Sequence, residues 1–126
     1  MYGVPADLDL RRFVGARLDE IGLGEFIVQF RFQAADTVGQ QGSLLLGVEG
    51  KWVLLDNAGT VIDESQSNAG REAYRLHRLL GQSVVTAEVD SPESIVLRFG
   101  SGYELRVFDD SQQYESFSIQ PGDIIV

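Results

Sequence analysis

The chain has no cysteine, one lysine, one histidine and three prolines in 126 residues. Without cysteine there is no disulfide framework, no thiolate nucleophile and no zinc or iron–sulfur site built on sulfur. The cytoplasm is the expected compartment. The single histidine, His77, leaves any imidazole metal site or Ser-His-Asp triad to one ring, so a surface histidine is the plain reading. No stretch approaches 18 uninterrupted apolar residues, and Asp7 and Asp9 stand where a secretory leader needs basic and then apolar residues. No membrane association is expected. GxGxxG and GxxxxGK[ST] are both missing, and the glycines fall at hairpins instead of at helix starts, where a phosphate would be cradled. Asp56-Asn57-Ala58-Gly59, with Asp63 and Glu64 behind it, lacks the alternating ligands and central glycine of a calcium loop. It reads as a turn followed by solvated acids. The expectation is a non-enzymatic protein with no catalytic residues, no metal and no cofactor.

What is abundant is negative charge, a formal −9. Free nucleic acid is a poor ligand for such a surface, because phosphate binding needs a basic patch. Acidity serves solubility first; its functional reading is a basic protein partner. Nine of the ten cations are arginine, with Lys51 the exception. Arginine pairs bidentately with carboxylates and keeps its charge when partly desolvated, so several are expected in ion pairs or at an interface.

At this length one domain, 1–126, suffices to bury its own core. Phe13 to Phe32 is echoed by Leu80 to Phe99: Phe13-Val14-Gly15-Ala16-Arg17-Leu18 answers Leu79-Leu80-Gly81-Gln82-Ser83-Val84, and Phe30-Arg31-Phe32 answers Leu97-Arg98-Phe99. Two related β-rich halves, about 8–63 and 79–126, are expected. Phe26, Val28, Phe30 and Phe32 alternate with polar neighbours as a half-buried strand. Leu44 to Glu49 gives a second strand, Gly50 a bulge or reversal before Lys51 to Leu55, and Asp56 to Gly59 an Asx turn before Thr60 to Ile62. Trp52 reads as a core residue, with an exposed hot spot the alternative.

Between the halves, Ala69, Ala73, Leu76 and Leu80 follow helical spacing, with Ser67 or Asn68 as cap and Gly81 as stop, which predicts one principal helix over about 69–80. Arg71, Arg75 and Arg78 recur on another of its faces, as a solvated stripe or a partner-binding one. Around Gly100-Ser101-Gly102, a three-residue loop with Gly102 at positive φ pairs Phe99 with Tyr103, Arg98 with Glu104 and Leu97 with Leu105, matching every pair in character. A two-residue loop would set charge against apolar side chains. Ile124-Ile125-Val126 is apolar to the last residue and is expected to pair as a strand, within the chain or across a homodimer axis.

Candidate binding residues follow from local rule-breaking. Alternation puts Glu115 on a face with Phe117 and Ile119, a carboxylate among apolar neighbours. It reads as a functional group, or as an edge residue paired with an arginine such as Arg98 or Arg106. Asp109, Asp110, Tyr114 and Glu115 form the densest acidic and aromatic cluster, suited to a basic protein or to plain loop solubility.

Glu49-Gly50-Lys51-Trp52, the Leu79-to-Val84 restart, the Leu97-to-Gly102 hairpin and the closing Tyr114-Glu115-Ser116-Phe117 together resemble a family of small uncharacterised bacterial proteins that close on Tyr-Glu-Ser-Phe/Trp. The resemblance runs from about Leu8 onward and implies an immunity-like role; it carries no catalytic assignment. The expected fold is α+β and mainly β: antiparallel sheets from two related halves, with one principal helix between them. The expected function is protein interaction. A small-ligand-binding or hydrolytic domain using Glu115 in a pocket between the halves is the alternative.

Overall fold

Alternating apolar residues in short segments, broken by glycine and aspartate, produce ten strands among the residues described by the computed structural model, which are 4–24, 27–34, 42–65, 75–90, 92–109, 116–120 and 124–126. In chain order they are β1 (Arg17–Leu23), β2 (Val28–Gln33), β3 (Ser43–Val48), β4 (Trp52–Leu55), β5 (Val61–Glu64), β6 (Val84–Asp90), β7 (Ser94–Phe99), β8 (Glu104–Phe108), β9 (Phe117–Gln120) and β10 (Ile124–Ile125). They form two antiparallel five-stranded sheets, ordered β1-β2-β3-β9-β10 and β5-β4-β8-β7-β6. The protein is mainly β.

Each sheet takes three consecutive strands from one part of the chain and two from the other. The exchange happens at corners: β3 leaves its sheet through Glu49-Gly50-Lys51 into β4, and β8 leaves its own before β9. At these corners Glu49 and Gly50 donate backbone hydrogen bonds to Ser116 O, and Phe108 donates to Lys51 O. Neither sheet is complete without both parts of the chain.

The apolar faces of both sheets share one core. Phe30, Phe32, Leu44, Leu46 and Ile119 from the first and Leu54, Ile95, Leu97, Leu105 and Val107 from the second are all buried in one cluster. Phe32 links the layers, edge-to-face with Phe13 at 5.4 Å and stacked on Phe99 at 6.5 Å between ring centroids. Such pairs add about 0.5–1.5 kcal/mol beyond burial. Trp52 is buried in the same core, as the sequence predicts.

The sheets are joined edge to edge at one point by a matched pair of turns. In Phe13-Val14-Gly15-Ala16, Val14 has φ −65° and ψ 123°, Gly15 has φ 84°, and Ala16 N–H donates to Phe13 O. In Leu79-Leu80-Gly81-Gln82, Leu80 has φ −61° and ψ 131°, Gly81 has φ 83°, and Gln82 N–H donates to Leu79 O. Both are type II turns, whose third residue needs positive φ and hence glycine. Gly15 donates to Val84 O and Gly81 to Leu18 O, while Leu18 donates to Gln82 O and Val84 to Ala16 O. Arg17 faces Ser83 at the centre. A bulge follows in each strand, between Leu18 and Glu20 in β1 and between Val84 and Thr86 in β6.

This corner corrects the predicted end of the helix. Leu76–Leu79 is a single 3-10 turn, Arg75 before it has φ −110° and ψ 16°, and Leu80 continues into the type II turn. No α-helix occurs among the described residues; residues 69–74 of the predicted span, and its cap candidates Ser67 and Asn68, lie outside them. The buried pair is Leu76 and Leu79, at the i, i+3 spacing of a 3-10 turn. Leu80, placed by the α-helical pattern on the buried face, is 44% exposed.

Other local expectations match. Asp56 Oδ1 accepts from Ala58 and Thr60 N–H at 2.9 Å each, forming the Asx turn. At the β7–β8 hairpin Phe99 N–H donates to Tyr103 O, Arg98 pairs with Glu104 and Leu97 with Leu105. Gly102 there has φ +97°, and a Cβ on it would stand 2.6 Å from Asn57 Cβ, so both the turn and the neighbouring β4–β5 loop require glycine. Asp63 departs from the solvated acid expected: it is only 7% exposed and its Oδ2 accepts the backbone N–H of Arg75, anchoring the start of the 3-10 turn to β5. No helix among the described residues is long and apolar enough to cross a membrane.

Candidate interaction site on β6

Alternation along the second sheet sends Glu88 and Asp90 of β6, Arg98 of β7, and Glu104 and Arg106 of β8 to its outer face, where register aligns them into a ladder. Glu104 is the centre of it. Its Oε1 accepts from Arg98 Nε at 3.0 Å and its Oε2 from Arg106 Nε at 2.6 Å. Arg98 reaches on to Glu88 at 3.1 Å and Arg106 to Asp90 at 3.3 Å. Hydrogen bonding to Glu88, reinforced by the charge of Glu104, raises the Arg98 pKa above its ordinary value; hydrogen bonding to Glu104 does the same for Arg106. The outer pairs are exposed and worth at most about 1 kcal/mol each. Their effect is on register and on the sign of the surface, since three carboxylates share two guanidiniums.

The opposite flank of β6 faces a groove. Residues 6–11 run beside the strand, held by Val4 N–H donating to Pro92 O and by buried Leu10. Between this segment and Ala87 and Val89 lies an open cavity of about 410 Å³, lined also by Asp7, Asp9 and Arg11. Asp9 clasps Arg11 with both carboxylate oxygens, at 2.9 Å to Nε and 2.9 Å to Nη2, and accepts the Arg11 backbone N–H as well. These hydrogen bonds hold the Asp9 carboxyl well below the usual carboxylate range.

The backbone of β6 is half used. Phe99 N–H bonds Tyr103 across to β8, so along β7 the polar groups of Ile95, Leu97 and Phe99 turn to β8 and those of Ser94, Val96 and Arg98 turn to β6. Their partners in β6 are Asp90, Glu88 and Thr86. Ala87 and Val89 therefore direct N–H and C=O away from the sheet, past its edge, while both residues line the groove. No strand covers them among the described residues.

The residues singled out by sequence are distributed differently. Asp109 lies after β8, where its Oδ1 accepts from buried Ser116 Oγ at 2.8 Å and its N–H donates to Glu93 O. Arg75 stands before the 3-10 turn with Nη1 3.4 Å from Ile62 O, and Arg78, within that turn, gives its carbonyl to Gln82 Nε2. Arg71, Asp110, Tyr114 and Glu115 lie outside the described residues. The sequence reading missed Glu88, Asp90 and the groove. The Thr86-Glu88-Asp90 alternation beside Ala87 and Val89 was the available signal, but nothing in it marks β6 as an outermost strand. No family model matches this sequence, and no curated protein or solved structure matches it.

Proposed function

We propose that this chain is a non-enzymatic protein-interaction module, immunity-like in role, cytoplasmic, with a basic protein as partner. The supporting observation is the sheet edge at β6, which carries acidic side chains on both flanks, Asp7 and Asp9 on one and Glu88 and Asp90 on the other, beside an open groove. A cationic partner is steered to such a surface and free nucleic acid is repelled. The engagement of both Glu104 oxygens by guanidinium groups fits a structural part for that carboxylate. Two related halves, 8–63 and 79–126, are the reading that best accounts for the matched turns and bulges at the β1–β6 corner. A homodimer through β10 is a further arrangement, favoured by Ile125, an outermost residue 46% exposed.

The test is calorimetric titration of the chain with the protein encoded directly upstream of it. One-to-one binding with Kd at or below about 1 μM, weakening as salt rises, is the expected result. Absence of binding at about a hundred times that concentration contradicts the proposal.

A further inference from the structure

We infer that the edge of β6 is a strand-addition site, which takes an extended basic segment of a partner protein as a sixth strand of the second sheet. The inference rests on the protein-interaction reading and specifies its place and mode. Ala87 and Val89 offer two donors and two acceptors at the spacing of an antiparallel ladder, and a partner strand would use them as PDZ-like domains use their exposed edges. The groove of about 410 Å³ alongside falls in the range of small ligand sites, about 300–1,000 Å³. It has room for a short extended segment.

Charge chooses the occupant. Asp7 and Asp9 outnumber Arg11 along the groove, and Glu88, Asp90 and Glu104 outnumber Arg98 and Arg106 on the other face. An alternating strand laid on β6 presents one set of side chains to each of these faces, so lysine or arginine at every second position meets carboxylates. A second copy of β6 would bring Glu88 and Asp90 against their own kind, and acidic edges of this sort prevent self-pairing.

The experiment uses the full chain, labelled with nitrogen-15, and a capped heptapeptide alternating lysine and valine. The expected result is that the largest amide shifts fall on Ala87 and Val89, and that the exchange of those two amides with solvent slows. The same peptide methylated at alternate backbone nitrogens keeps its charge but loses its donors, and should bind at least about tenfold more weakly. Asp7→Lys should weaken binding of the unmodified peptide without moving the melting temperature. Shifts centred elsewhere, equal binding of the methylated peptide, equal binding of a glutamate–valine peptide, or dimerisation through β6 would each overturn the inference. If the upstream-encoded protein binds while the peptide result is negative, the interaction reading stands and β6 does not carry it.

Discussion

Replacing Phe32 with alanine is expected to cost about 3–5 kcal/mol, the range for a large aromatic removed from a core that cannot close around the gap. Phe32 is fully buried, sits on β2 between β1 and β3 and touches rings from two other elements, Phe13 of the first corner and Phe99 of the second sheet. The loss thus includes the contact between layers as well as transfer of the side chain. Against a total stability of about 5–15 kcal/mol for an ordinary domain, this is enough to bring the folded state close to its limit. A thermal melt followed by circular dichroism should fall by about 10–20 °C. Leu23→Ala, at a half-exposed position at the end of β1, should change stability by no more than about 0.5 kcal/mol. Equal effects at the two positions would mean that Phe32 does not join the sheets.

Removal of residues 123–126 is expected to cost about 3–5 kcal/mol, because it strips a buried side chain and orphans buried backbone groups at once. Val126 is buried, donates its N–H to Phe117 O at 2.9 Å and accepts from Ser116 N–H at 2.6 Å. Ser116 is itself fully buried, so its N–H has no water to turn to. Ile124 pairs with Ile119 and packs on the core. The melting temperature should drop by about 10 °C or more, and an unchanged melt would exclude the docking of this strand.

Local features were legible in the sequence wherever residue chemistry decides geometry by itself. The β7–β8 hairpin is the clearest case, since only one loop length pairs Arg98 with Glu104 and Leu97 with Leu105, and that register is found. Asp56 to Gly59 was legible for the same reason: the carboxylate supplies the turn's own acceptor. The helix was not, because Leu76, Leu79 and Leu80 satisfy an α-helical and a 3-10 pattern alike, and the difference lies in which of the last two is buried. The likeness of Leu79-Leu80-Gly81-Gln82 to Phe13-Val14-Gly15-Ala16, a turn in both places, was the signal against it. Strand order was also beyond the sequence. Alternation tells which side of β4 faces the core, but not that its neighbour is β8 instead of β3, since Leu54 and Trp52 would fit either. The candidate site inherits that gap, because an edge exists only once the order of strands is known.

The exchange of strands between the two sheets is the claim on which the edge at β6, the corner turns and the proposed docking mode all depend. Cross-strand nuclear Overhauser contacts in the intact protein test it directly. Contacts of Gly47 with Ser118 and of Val53 with Arg106 are predicted by the register found here. Contacts of β3 with β4 in place of these, each part of the chain completing its own sheet, would contradict it.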